Sequence, residues 1–313
     1  MLFVVVGHAL ASNPFNTNLA VDLVPAFIYW IYIWHVPSLF FLSGYTSRNS
    51  KDDSRYCEVI ANLIYVYFIW CFVQTCTIIL VPGSNPEFSY VDLLKIPILP
   101  NSQFWFIWAL IIFHALWCAP RWIWAFVIVL CLIIFSKLPA DSVYYRVAYN
   151  LPFYLLGRLF PAVAEIFGDK PGPLGVFGFA ILSLFFFGAT FFAGEMDGHS
   201  LYSAPAFAVG FLGILWLTAF SRTILRRSTI LRWIGRYSLA ILVMHLFFTG
   251  GIRIIFPKLL GIHDPIALTC LMVIGGIVGP LIARSIFEKS GVDVWLGLGR
   301  SRRCEAKLRK QFT

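Results

Sequence analysis

The chain has 313 residues, 59% of them hydrophobic and only 12% charged, with a formal net charge of +9. Soluble domains carry roughly a quarter charged residues, so a water-soluble globular protein is excluded. A nucleic-acid binder is excluded too, because the basic residues punctuate apolar runs and form no soluble basic face with groove-reading elements.

Apolar runs near the ~20 residues needed to cross a ~30 Å hydrocarbon core recur along the whole sequence. Backbone groups in lipid must be satisfied within the chain, so these runs are read as helices. In chain order the expected spans are 1–11, 23–45, 59–81, 104–119, 122–136, 143–158, 174–193, 201–220, 237–256 and 265–287. The fold class is thus all-α integral membrane, a polytopic bundle of about ten transmembrane helices in a single domain over 1–313. The first run makes a helix of only about 15 Å, half a bilayer, and reads as N-terminally truncated, by a late start codon or a shortened gene. Met1–Ala11 has no basic leader, so no cleavable signal peptide is expected. The stretch Arg158–Lys170 reads as an interfacial amphipathic turn after a short sixth span. Aromatics near run ends, such as Trp105, Trp122 and Tyr144, fit interfacial belts. The seven cysteines lie mostly inside apolar runs without CxxC spacing, so they read as packing residues, and no metal site is expected.

Basic residues of short loops concentrate on the cytoplasmic side. With a cytoplasmic N-terminus, nineteen Lys and Arg fall inside, and five (Lys95, Lys137, Arg146, Arg253 and Lys258) fall outside. A missed or extra span would scramble that bias. Ten spans with both termini cytoplasmic is therefore the expected topology.

An ionisable side chain within a span is costly and marks a functional candidate. His8, His35, His114 and His245 qualify. The bland alternative for each is a polar contact between helices. His8 follows Gly7, which permits close approach by another helix or a ligand. His35 precedes Pro37, which opens its helix locally, and Ser43 and Gly44 follow near the inner end of that span. His245 lies midway along the ninth span in YSLAILVMHLFF, and His114, in the aromatic fourth span, is assigned to packing.

The segments VVVGHAL, IYIWHVPSLFFLSGY, FWFIWALIIF, LPFYLLGR and WIGRYSLAILVMHL resemble, in that order, the membrane acyltransferase-3 family of O-acyltransferases, over about residues 4–246. The resemblance implies an integral-membrane enzyme of the bacterial inner membrane. It would take an acyl group, chiefly acetyl, from the co-substrate acyl-CoA and deliver it to a hydroxyl of a cell-surface or exported saccharide, free or lipid-linked. Carried over by position, the family's first-helix catalytic histidine falls on His8, its second-helix histidine motif on His35 and its ninth-span motif on His245. His8 and His35 are the catalytic candidates. His245, Ser43 and Trp105 are the substrate-binding candidates. The family also places a basic residue about three turns before the first-helix histidine, a position that here precedes Met1, so an inactive scaffold is a rival reading. Histidine suits the base that acyl transfer needs, and the absence of a Gly-x-Ser-x-Gly elbow argues against a serine acyl-enzyme. Arg222, Arg226 and Arg227, with Arg232, are candidates for the CoA phosphates at the inner face, their other role being topology and contact with anionic lipid. A secondary transporter or lipid-linked sugar flippase is the alternative from another class. It is disfavoured by the lack of paired broken spans and of a membrane-embedded Asp or Glu relay.

Overall fold

The computed structural model describes residues 1–14, 23–47, 53–81, 90–120, 122–160, 162, 173–225 and 228–299. Among them every regular element is a helix: α1 (Leu2–Ser12), α2 (Leu23–Ser47), α3 (Asp53–Leu80), the short α4 (Val91–Lys95), a 3-10 turn (Ser102–Phe104) running into α5 (Trp105–Cys118), α6 (Ile123–Lys137), α7 (Val143–Leu159), α8 (Pro173–Asp197), α9 (Ala204–Thr223), α10 (Thr229–Arg236), α11 (Ser238–Leu260) and α12 (Pro265–Ser290). Each of the ten expected segments lies on one of these. Six contain stretches long and apolar enough to cross a membrane: Val24–Ser47, Tyr56–Leu80, Gly175–Asp197, Ala204–Thr223, Ser238–Leu260 and Pro265–Ser290. The other four expected segments form helices of 11, 14, 15 and 17 residues. Among the described residues, length and composition therefore give an all-helical, multi-pass membrane protein with six helices long and apolar enough to cross.

Helix ends follow capping chemistry more closely than hydropathy. Ser203, Ser228 and Asp264 accept hydrogen bonds from the backbone N–H groups of Ala206, Leu231 and Ala267, which moves the start of the eighth segment from 201 to 204. The ninth segment does not stop at 256. It runs through Pro257 to a left-handed cap at Gly261, where φ is 64°. The expected amphipathic turn at Arg158–Lys170 starts within α7, which holds Arg158 and Leu159, and its positions 161 and 163–170 lie outside the described residues.

Helix α2 is the hub, packed against α1, α7, α8 and α9, while α11 and α12 pair with each other and α1 wedges between α2 and α12. Two glycines set the α2–α7 contact. A Cβ on Gly44 would overlap the carbonyl oxygen of Tyr154, and one on Gly157 would overlap that of Phe41. The two backbones thus touch with no side chain between them, the mode by which small residues join helices in lipid. One turn on, Arg158, only 8% exposed, donates to the carbonyl and hydroxyl oxygens of Ser47 (2.9 and 2.8 Å) beneath the Trp117 ring. Pairing of Gly44 with Tyr154 and of Ser47 with Arg158 makes α2 and α7 parallel neighbours. The outward faces of α6 and α8 show large apolar side chains, Phe126, Leu130, Leu184 and Phe191 among them. That surface suits hydrocarbon and would aggregate in water.

Candidate active site

Small residues bring the intramembrane histidines together. At Gly7 a Cβ would stand 3.0 Å from the Tyr32 ring, so α1 lies directly on α2. At Gly276 of α12 a Cβ would stand 2.7 Å from both Val5 and Thr249, so α1 is seated equally closely on its other side. Between these contacts the His8 ring comes 5.2 Å from that of His245 and 5.9 Å from that of Tyr32, measured between centroids. Tyr32 in turn lies edge-on to His35 at 4.9 Å. Rings from α1, α2 and α11 thus form one chain, His245, His8, Tyr32, His35.

The backbone fixes two of these imidazoles. Nδ1 of His35 lies 2.6 Å from the carbonyl oxygen of Ile31, and Nδ1 of His245 lies 2.9 Å from those of Ile241 and Leu242. A carbonyl only accepts, so Nδ1 carries the proton in both, and in the neutral ring Nε2 offers a lone pair. Nε2 of His245 is buried without a partner.

His8 and His35 face a cavity of about 350 Å³. Trp105 and the 3-10 turn with Ser102 and Gln103 form a second wall. Arg146, Tyr149 and Asn150 of α7 form a third, and Leu201 and Tyr202, between α8 and α9, close it. Ser102 has φ of 44°, a left-handed conformation uncommon for serine, and such residues concentrate at functional sites.

Of the residues expected from sequence, His8, His35 and Trp105 line this cavity, and His245 reaches it through His8. Ser43 does not line it, and its hydroxyl donates to the Leu39 carbonyl of its own helix at 2.9 Å. Arg222, in the last turn of α9, does not line it, and Arg226 and Arg227 lie outside the described residues. His114 is buried between the rings of Tyr56 and Tyr154, remote from the lining. The sequence reading missed Tyr32, Gln103, Tyr149, Asn150 and Tyr202, and took Arg146 for a topology marker. A signal existed for one pair: Arg146 and Asn150, four apart within an apolar span, share a helix face.

A family model described as an acyltransferase domain, Acyl_transf_3, matches residues 1–284. No curated protein and no solved structure gives a significant match.

Proposed function

The chain belongs to the acyltransferase-3 family and is a membrane-bound acyltransferase, and from that premise we propose that it moves an acyl group, acetyl foremost, from acyl-CoA to a hydroxyl of a cell-surface or exported saccharide. The observation that carries the reading is the cavity-facing His8, in ring contact with His245 and across Tyr32 from His35.

In the proposed reaction His8 takes the proton of the acceptor hydroxyl as that oxygen attacks the thioester carbonyl. The tetrahedral intermediate collapses with cleavage of the carbon–sulfur bond. The CoA thiolate leaves and recovers the proton from the His8 imidazolium, so the products are the ester and free CoA thiol. His245, whose Nε2 lone pair lacks a partner, is suited to stabilise the proton on His8. His35 presents a lone pair in its neutral form and is suited to accept from a substrate hydroxyl. Incubation of detergent-purified protein with acetyl-CoA and saccharide acceptors tests this. Free thiol and O-acetyl ester should appear together, and thiol release without ester, or neither product, would defeat the proposal.

The proposed topology has ten spans in a bacterial inner membrane with both termini cytoplasmic. On it, residues 102–105, 146–150 and 201–202 belong to outer helix ends, so the acceptor enters from outside. The basic run Arg222, Arg226 and Arg227 then lies inside, where it would meet the phosphates of acyl-CoA. Cys57, exposed near the start of α3, is inside as well. A variant retaining Cys57 as its one cysteine should resist a membrane-impermeant maleimide in intact cells and react after permeabilisation. Labelling of intact cells would reverse the orientation.

A further inference from the structure

We propose that Gln103, Arg146 and Asn150 form a subsite for an acceptor that carries an anionic group, carboxylate or phosphate, beside its hydroxyls. The inference rests on the reading of this cavity as the acyl-acceptor site and goes beyond it by naming a substrate class.

The three residues line the cavity, and each holds a buried polar atom without a partner: Oε1 of Gln103, Nε of Arg146 and Oδ1 of Asn150. Buried polar atoms are nearly always hydrogen-bonded, so three such atoms beside one cavity are unmet hydrogen-bonding capacity that a ligand reaches once the lining shifts to admit it. Asn150 is 1% exposed and Gln103 4% exposed, too enclosed for bulk water to serve them freely. The Asn150 amide is fixed, because its Nδ2 donates to the Arg146 carbonyl oxygen at 2.8 Å and leaves Oδ1 as a pure acceptor. Gln103 donates through Nε2 to Gln74 and leaves its oxygen likewise. Two carbonyl oxygens in search of donors call for hydroxyl groups.

Arg146 calls for the opposite. It has donors only, no carboxylate pairs with it among the described residues, and its guanidinium faces the Tyr202 ring at 5.8 Å. A cation partly shielded from water on a cavity wall without a counter-ion is unfavourable, and a ligand anion bound in fork geometry offsets that. Trp105, Tyr149 and Tyr202 add ring surface for the C–H face of a sugar. Together these groups select a polyhydroxylated acid.

The test uses the purified full chain and three probes: a methyl glucuronide, a glucose phosphate and the neutral methyl glucoside. Binding is read by saturation-transfer NMR, and acyl transfer from acetyl-CoA is read in parallel. A charged hydrogen-bond pair corresponds to about a 10- to 100-fold difference in affinity. At least one anionic probe should therefore bind about tenfold or more tighter than the neutral glycoside. The preferred probe tells carboxylate from phosphate. Arg146→Gln should abolish the preference without changing the KM for acetyl-CoA, and Arg146→Lys should keep part of it. Equal binding of all three probes by the wild-type chain would overturn the proposal whether or not the variants fold. So would a preference that survives in Arg146→Gln, or a raised acetyl-CoA KM, which would move Arg146 to the donor. Arg146-dependent binding without ester formation would sustain the subsite and sink the acyl-transfer reading. Transfer without anion preference would do the reverse.

Discussion

Replacing His8 with alanine should lower acyl transfer by about 10²–10⁴-fold, the usual contribution of a positioned general base. The residue meets the requirement on geometry. It faces the cavity, it touches His245, and Gly7 and Gly276 hold its helix against the rest of the site on two sides. On the proposed reading acyl-CoA binding should persist, because the substitution removes a base and leaves the arginines proposed to meet the CoA phosphates intact. His114→Ala is the control: it removes a buried imidazole, with Nδ1 2.8 Å from the Leu110 carbonyl oxygen, that lies off the cavity. Turnover is compared in detergent-purified protein of equal amount and monodispersity. Near-normal turnover in His8→Ala would take that residue out of the mechanism and pass the base role to His35.

A second large effect is expected where no chemistry occurs. Gly157→Ala should destabilise the fold by about 1–3 kcal/mol, the range for overpacking a tight contact. Its methyl group would meet the Phe41 carbonyl, a backbone atom that cannot rotate aside, and α2 and α7 would have to part. Gly44→Ala should do the same through the Tyr154 carbonyl. Helix propensity predicts the opposite sign, since alanine exceeds glycine by roughly 1 kcal/mol in a helix. Gly178→Ala and Gly188→Ala on α8, where a new Cβ meets nothing within 4 Å, isolate that term and should be neutral or slightly stabilising. Thermal unfolding followed by size-exclusion chromatography separates the cases. A melting temperature for Gly157→Ala at or above wild type would show that the two helices are free to separate.

The helices were legible because lipid makes hydropathy nearly decisive: each apolar run had to be a helix, and charges bounded it. Their ends were less so. The ninth run seemed to stop before Pro257, yet one missing N–H costs one hydrogen bond, and the helix resumes to Gly261. Histidines could be picked out singly, as ionisable groups in apolar runs. Their neighbours could not, because the cavity draws on segments near positions 8, 35, 103, 146 and 202, and no periodicity records such a meeting. Ser43 shows the converse error. It shares a helix with His35, but eight residues carry it about 12 Å along the axis, and a hydroxyl there satisfies itself on its own backbone.

The parallel alignment of α2 and α7 has an electrical consequence. Each helix carries a macrodipole equivalent to about half a positive charge at its N-terminus and half a negative charge at its C-terminus. Side by side, the two C-termini amount to about one negative charge, and Arg158, in the last turn of α7 and bonded to the final residue of α2, answers it with one positive charge. At the other pole, neither first turn holds an acidic residue among the described residues. Arg146 stands in the first turn of α7, whose backbone N–H bonds to Ser142 at 3.1 Å, so its cation adds to the positive pole, and no acidic residue occupies that turn. Among the described residues, then, the C-terminal end of the pair carries its own neutralising cation, while the first turn of α7 carries a cation where an anion would be favoured, and the proposed anionic ligand would supply that charge.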